Sequence, residues 1–128
     1  MDMTGKTVMI TGASRGIGAE AARVFANAVA NVVLLARSQD DIAAIAGEIG
    51  ERAIAIPCNV ARYSEMSSAV ATTLQVFGGL DVLINNGGVS QRETFENMDF
   101  DTMFTLVNTN FMSHIALIKG FMPLLERS

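Results

Sequence analysis

The stretch Thr7-Val8-Met9-Ile10-Thr11-Gly12-Ala13-Ser14-Arg15-Gly16-Ile17-Gly18 limits what the chain can fold into more than any other segment. A short β-type run, Val8 to Ile10, feeds a turn dense in glycine. A helical pattern follows, with Ile17, Ala21, Val24, Phe25 and Ala28 falling on one face. Strand, glycine turn and helix in this order present a helix N-terminus to an anion. The first N–H groups of a helix lack intrahelical partners and sit at the positive end of its dipole. Each glycine has a reason under that reading. Gly12 lets the chain leave the strand in a conformation a Cβ resists, Gly16 leaves bare backbone beside a pyrophosphate, and Gly18 lets the helix pack close.

The spacing is G-x-x-x-G-x-G, not the commoner G-x-G-x-x-G of dinucleotide sites. No Gly-Lys-Ser/Thr follows, which excludes a P-loop nucleotide hydrolase. Taken alone, a spaced glycine triplet also fits a plain strand-to-helix turn, so the rest of the chain must discriminate.

Lys6 to Thr11 reads as strand one and Ile17 to about Ala28 as helix one. Asn31 to Ala36 is a continuous apolar run of strand length, the pattern of a strand buried on both faces. Asp40-Asp41 opens a helix carrying Ile42, Ile45, Ala46 and Ile49, which Gly50 stops. Ala53 to Pro57 is strand three. Ser64 is the expected cap of a helix whose face is Met66, Ala69, Val70, Thr73, Leu74 and Phe77, ended by Gly78-Gly79. Leu80 to Ile84 is strand four, a polar loop runs from Asn85 to about Asn97, and one last helix carries Met103, Phe104, Val107, Phe111, Ile115, Ile118, Met122 and Leu125. Alternation of strands and helices with short connections implies an α/β fold. Right-handed crossovers then give a doubly wound parallel sheet of about four strands, in the order 3-2-1-4. The crevice at the carboxyl ends of strands one and four is the expected ligand site.

Composition narrows the class. With 128 residues there is room for one domain and one core. Half the residues are hydrophobic, yet no run approaches the roughly 18 apolar residues of a membrane span. Met1 to Lys6 holds no apolar signal region, and the single cysteine, Cys58, fits a reducing compartment, so a cytoplasmic location is expected. Cys58 itself reads as a small buried apolar residue. A net charge of −4 spread over scattered residues argues against a nucleic-acid surface. The only histidine, His114, has no cysteine or carboxylate cluster around it in sequence, so neither a metal nor a catalytic role is expected for it.

The full string Thr11 to Gly18 resembles the cofactor loop of the short-chain dehydrogenase/reductase family, whose fold is Rossmann-type. Residues 1–128 then form an NAD(P)-binding domain, with Gly12, Ser14, Arg15, Gly16, Ile17 and Gly18 as its cofactor loop. At the end of strand two, Ala36-Arg37-Ser38 stands where an acidic residue would favour NAD by accepting from the ribose hydroxyls. Arg37 and Arg15 are suited instead to the 2′-phosphate of NADP(H), although two solvated surface arginines are the alternative. Asn59-Val60 takes the place of the family's Asp-Val, which contacts adenine; an amide oxygen can still accept from the adenine amino group, and a plain turn asparagine is the alternative. Asn85-Asn86-Gly87-Gly88 is similar to the family's Asn-Asn-Ala-Gly segment, which lines the cofactor pocket, and the string Asn85 to Arg92 is similar to animal members. The spacing to Pro123 selects Asn110 over Asn108 as the family's catalytic helix asparagine, which helps hold a water; a helix-kinking asparagine is the alternative.

The resemblance also shows what these residues lack. The family's proton transfer uses a serine and Tyr-x-x-x-Lys, whereas the only tyrosine here, Tyr63, is followed four positions on by Ser67. The resemblance therefore covers the first half of a family domain. Implied are an NADP(H)-dependent oxidoreductase acting on a small carbonyl or secondary alcohol, inactive as these 128 residues alone, or else a non-catalytic nucleotide-binding or interaction module. Strand four should be a bare edge, and the last helix should expose an apolar stripe through which family members form homo-oligomers. Val29 stands where such a helix ends in glycine, and a β-branched residue there costs about 1 kcal/mol.

Overall fold

The structure, a computed structural model, describes residues 1–88 and 94–128. Strands β1 (Thr7–Thr11), β2 (Asn31–Ala36), β3 (Ala53–Pro57) and β4 (Val82–Ile84) form one parallel sheet in the order β3-β2-β1-β4. Helices α1 (Gly16–Asn27), α2 (Gln39–Ile49) and α3 (Tyr63–Phe77) are the crossovers, and α4 (Phe100–Val107) and α5 (Ser113–Glu126) follow β4. The loop expected from Asn85 to Asn97, and the animal-type string ending at Arg92, lie partly outside the described residues.

Strand side chains alternate between faces, and this divides the core in two. Val8, Ile10, Val32 and Leu34 meet α1 and α2 through Ala19, Ala22, Ala26, Ile42 and Ile45. Met9, Val33 and Leu35 meet α3 and α5 through Met66, Ala69, Leu117, Phe121 and Leu124. Every residue of β1 is buried, as are Val32 to Ala36 of β2, which is why β2 is apolar without alternation. Each large aliphatic side chain so buried contributes about 1.5–3 kcal/mol.

Four expectations need correction. The buried face of α1 is Gly18, Ala19, Ala22 and Ala26, while Ile17 is 80% exposed. Small residues let α1 lie close on the sheet, Ile17 and Val24 are exposed, and Phe25 packs only at the margin of the core. Ser64 does not cap α3, because the N-cap is Arg62 and the helix begins at Tyr63. The turn before α3 is closed instead by Asn59, whose Oδ1 accepts from the Ala61 N–H at 3.0 Å and whose carbonyl accepts from the Arg62 N–H at 2.9 Å. The last helix is not continuous: Asn108–Met112 form a π-helical turn between α4 and α5. That wide turn shifts the helical phase, so α5 faces the core with Leu117, Phe121 and Leu124. Finally, β4 is shorter than expected, with Leu80 buried just before it.

Three expectations are met in detail. Among the described residues β4 pairs only with β1, and Phe104, Val107, Phe111, Ile115, Ile118 and Met122 are exposed. Val29 has φ +70°, the sole non-glycine residue with positive φ among those described.

Candidate cofactor cleft

The carboxyl ends of β1 and β4 are stitched together by one hydroxyl. Thr11 ends β1 fully buried, and its Oγ1 accepts the N–H groups of Asn86 at 2.9 Å and Gly87 at 2.7 Å. The same hydroxyl donates to the Ile84 carbonyl at 3.4 Å. Asn86 answers from the other side, its Nδ2 donating to the Gly12 carbonyl at 3.2 Å. So tight is this seam that a Cβ on Gly12, which has φ +63°, would lie 2.9 Å from Gly87 Cα. A Cβ on Gly18 would overlap the Gly12 carbonyl and lie 2.7 Å from Asn86 Nδ2. Gly18 thus packs the helix against the loop and the Asn86 side chain.

Beside the seam opens a cleft of about 620 Å³, within the usual range of small-molecule sites. Its lining includes Gly12, Ser14, Arg15, Gly16 and Ile17 from the glycine loop, Arg37 from the end of β2, and Asn59 and Val60 after β3. Asn86, Gly87 and Gly88 after β4 complete that wall. The structure therefore brings the sequence-predicted cofactor residues to one cleft, except Gly18, which lies behind the loop. Asn110 is not part of the lining. It sits in the π turn, where a Cβ on Gly88 would lie 3.0 Å from its Oδ1.

The residues fit a dinucleotide phosphate. Arg15 is the N-cap of α1 and no side chain caps that helix, leaving its first N–H groups to the cleft side. A Cβ on Gly16 would meet no protein atom within 4 Å, so the backbone there is open. Arg15 and Arg37 are both exposed on the cleft and join no ion pair among the described residues. Asn59 has its Oδ1 engaged on Ala61, the turn role weighed from sequence, while its N–H donates to Glu65 Oε1 at 3.3 Å. Cys58 is buried at the cleft wall, and burial, with the nearby Glu65 carboxylate, pushes its thiol up to about 11. It is a neutral, packed thiol at physiological pH, as its sequence position suggested.

Three contributors escaped the sequence reading. Thr11 was visible only as part of a motif, although a hydroxyl ending a fully buried strand must find partners. His114 reaches back from the first turn of α5, its Nε2 lying 2.8 Å from the Gly87 carbonyl. Nothing local in sequence signals that contact. Asp41, in the first turn of α2, lines the cleft with Arg15 and Arg37 and places a carboxylate among their charges. Asn85 differs from its neighbour, its Oδ1 being buried without a hydrogen-bond partner among the described residues. The same residues include no cluster of three metal-ligating side chains and no helix long and apolar enough to cross a membrane.

A doubly wound parallel sheet with a glycine-loop cleft at its carboxyl edge is a Rossmann-type α/β fold. The family model described as short chain dehydrogenase matches residues 6–128, and the chain belongs to that family of oxidoreductases. It is 39% identical to the ketoacyl reductase HetN of Nostoc, over 98% of this chain and 45% of that protein. To a fatty acyl-CoA reductase of Mycobacterium tuberculosis it is 37% identical, over 99% of this chain and 45% of that protein. A solved short chain dehydrogenase from Pseudomonas syringae superposes with a TM-score of 0.91 at 29% identity, over 98% of this chain and 55% of the other. The chain thus spans about half the length of these relatives.

Proposed function

We propose that residues 1–128 are the NADP(H)-binding half of a short-chain dehydrogenase/reductase that acts on a small carbonyl or secondary alcohol. The observation that carries the reading is the convergence of Arg15, Arg37, the glycine loop and the Asn86–Gly88 wall on one cleft. When bound, the nicotinamide supplies or accepts a hydride. The chain's own residues do the holding. Bare N–H groups of α1 face the pyrophosphate, Arg37 and Arg15 pair with the 2′-phosphate, and Gly87 and Gly88 let the nucleotide approach the backbone. Asn59 and Val60 border the adenine, and Asn110 stands beside Gly88 as the family's catalytic asparagine. The similarity to ketoacyl and acyl-CoA reductases supports a carbonyl substrate.

By itself this half binds cofactor without turnover. Its one tyrosine, Tyr63, opens α3 with its hydroxyl on Asn108 and has no lysine four residues on. A second copy packs on the apolar stripe of α4 and α5, as the exposure of Phe104, Phe111 and Ile118 supports. The test is the charge at the end of β2. NADPH binds more tightly than NADH, and Arg37→Asp reverses the order; an unchanged ratio removes Arg37 from the role.

A further inference from the structure

Tyr63 is half exposed at the first turn of α3 and belongs to neither core cluster, so packing does not account for an aromatic residue there. Its hydroxyl does have a partner. It donates to Asn108 Oδ1 at 3.0 Å, and Asn108 Nδ2 reaches the Ala61 carbonyl at 3.5 Å. Asn59 in turn fixes the Ala61 N–H. A continuous strap therefore runs from the end of β3, through the start of α3, to the π turn. Ala61, Thr105 and Thr109 all line the cleft, so the strap ties one of its walls to the other.

We propose that Tyr63 is a positioning residue that, through Asn108, sets the π turn and with it the outer side of the Asn86–Gly88 wall. The inference rests on the cofactor reading above and extends it. Asn108 is the first residue of the π turn. The next residue, Thr109, faces the cleft, and Asn110 lies beside Gly88. One turn later His114 holds the Gly87 carbonyl. From the β1 side the same wall is held by Thr11 and Gly12, which do not depend on the strap. Release of Tyr63 loosens the wall only from its α5 side. The glycine loop and Arg37, which take the phosphates, belong to other elements and are left in place.

The experiment compares NADPH with adenosine 2′,5′-bisphosphate, which lacks the nicotinamide half, on the full-length protein. Tyr63→Phe weakens NADPH by about threefold, the scale of one exposed hydrogen bond, and leaves the bisphosphate unchanged. Asn108→Leu does the same, and the double variant loses no more than the larger single. Equal weakening of both nucleotides, additive losses, or no change in Tyr63→Phe overturns the proposal. Amide exchange across residues 108–112 in the ligand-free protein separates it from the cofactor reading. Faster exchange in Tyr63→Phe at unchanged Tm supports the strap, and unchanged exchange overturns it. Failure of the wild type to bind either nucleotide overturns the cofactor reading alone.

Discussion

Replacement of Thr11 by valine keeps its volume and β-branching but removes the hydroxyl that joins β1 to the Asn86–Gly88 wall. Two N–H donors, those of Asn86 and Gly87, lose their acceptor at 2.9 and 2.7 Å. Each unsatisfied buried donor costs about 1–3 kcal/mol. Both are partly reachable by water, so the lower half of that range, about 1–2 kcal/mol, applies to each, and the sum is about 2–4 kcal/mol. The lost bond to the Ile84 carbonyl at 3.4 Å is long and adds little. Thr11 is fully buried at the end of β1, and valine of matching volume leaves no cavity that could confuse the result. Denaturant unfolding of the full-length protein measures the loss, with Thr11→Ser as the partner that retains the hydroxyl. NADPH affinity should fall with Thr11→Val and persist with Thr11→Ser. A Thr11→Val protein within 0.5 kcal/mol of wild type, on the scale of an ordinary surface change, would refute the idea that this hydroxyl fastens the wall.

Other consequences are simpler to state. Val29→Gly removes a left-handed valine between α1 and β2 and should raise stability by about 1 kcal/mol, measured by thermal or denaturant unfolding. Asp41→Asn removes a carboxylate from the cleft that holds Arg15 and Arg37, so NADPH should gain affinity relative to NADH by competition titration. Burial raises the Asp81 carboxyl, but the Ser128 hydroxyl, the Thr7 N–H and the Lys6 charge outweigh it and hold the carboxyl below its ordinary 3.8. A depressed carboxyl stabilises the fold above its unfolded value and loses that contribution as pH falls through the folded value. Unfolding midpoints of wild type and Asp81→Asn should therefore converge below pH 3.8. Paired charges on the apolar stripe, Phe104→Glu with Ile118→Glu, should lower the association state seen by sedimentation velocity.

The sheet was legible because its signals are local. A continuous apolar β2 needs burial on both faces, and glycine punctuation marks the ends of α2 and α3, with Gly50 at φ +98° and Gly78 at φ +78°. The cleft followed from topology, since the glycine loop and the Asn86–Gly88 segment are neighbours once strand four lies beside strand one. The inward face of α1 was misread because apolar size was taken as the guide, whereas close helix–sheet contact selects alanine and glycine. The π turn was unreadable in a helix that is apolar almost all round, where several faces fit the period. Only the paired asparagines Asn108 and Asn110 hinted at it. His114 and Tyr63 act across 27 and 45 positions of sequence, distances at which no pattern in a single chain speaks.

The most direct test of the account is an amide-shift titration of the isotope-labelled full-length protein with NADPH. The account predicts that the large shifts fall on Gly12 to Gly18, Arg37, Asn59 and Val60, and Asn86 to Gly88, with NADH producing them only at higher concentration. Shifts centred elsewhere, or none at all, would contradict it.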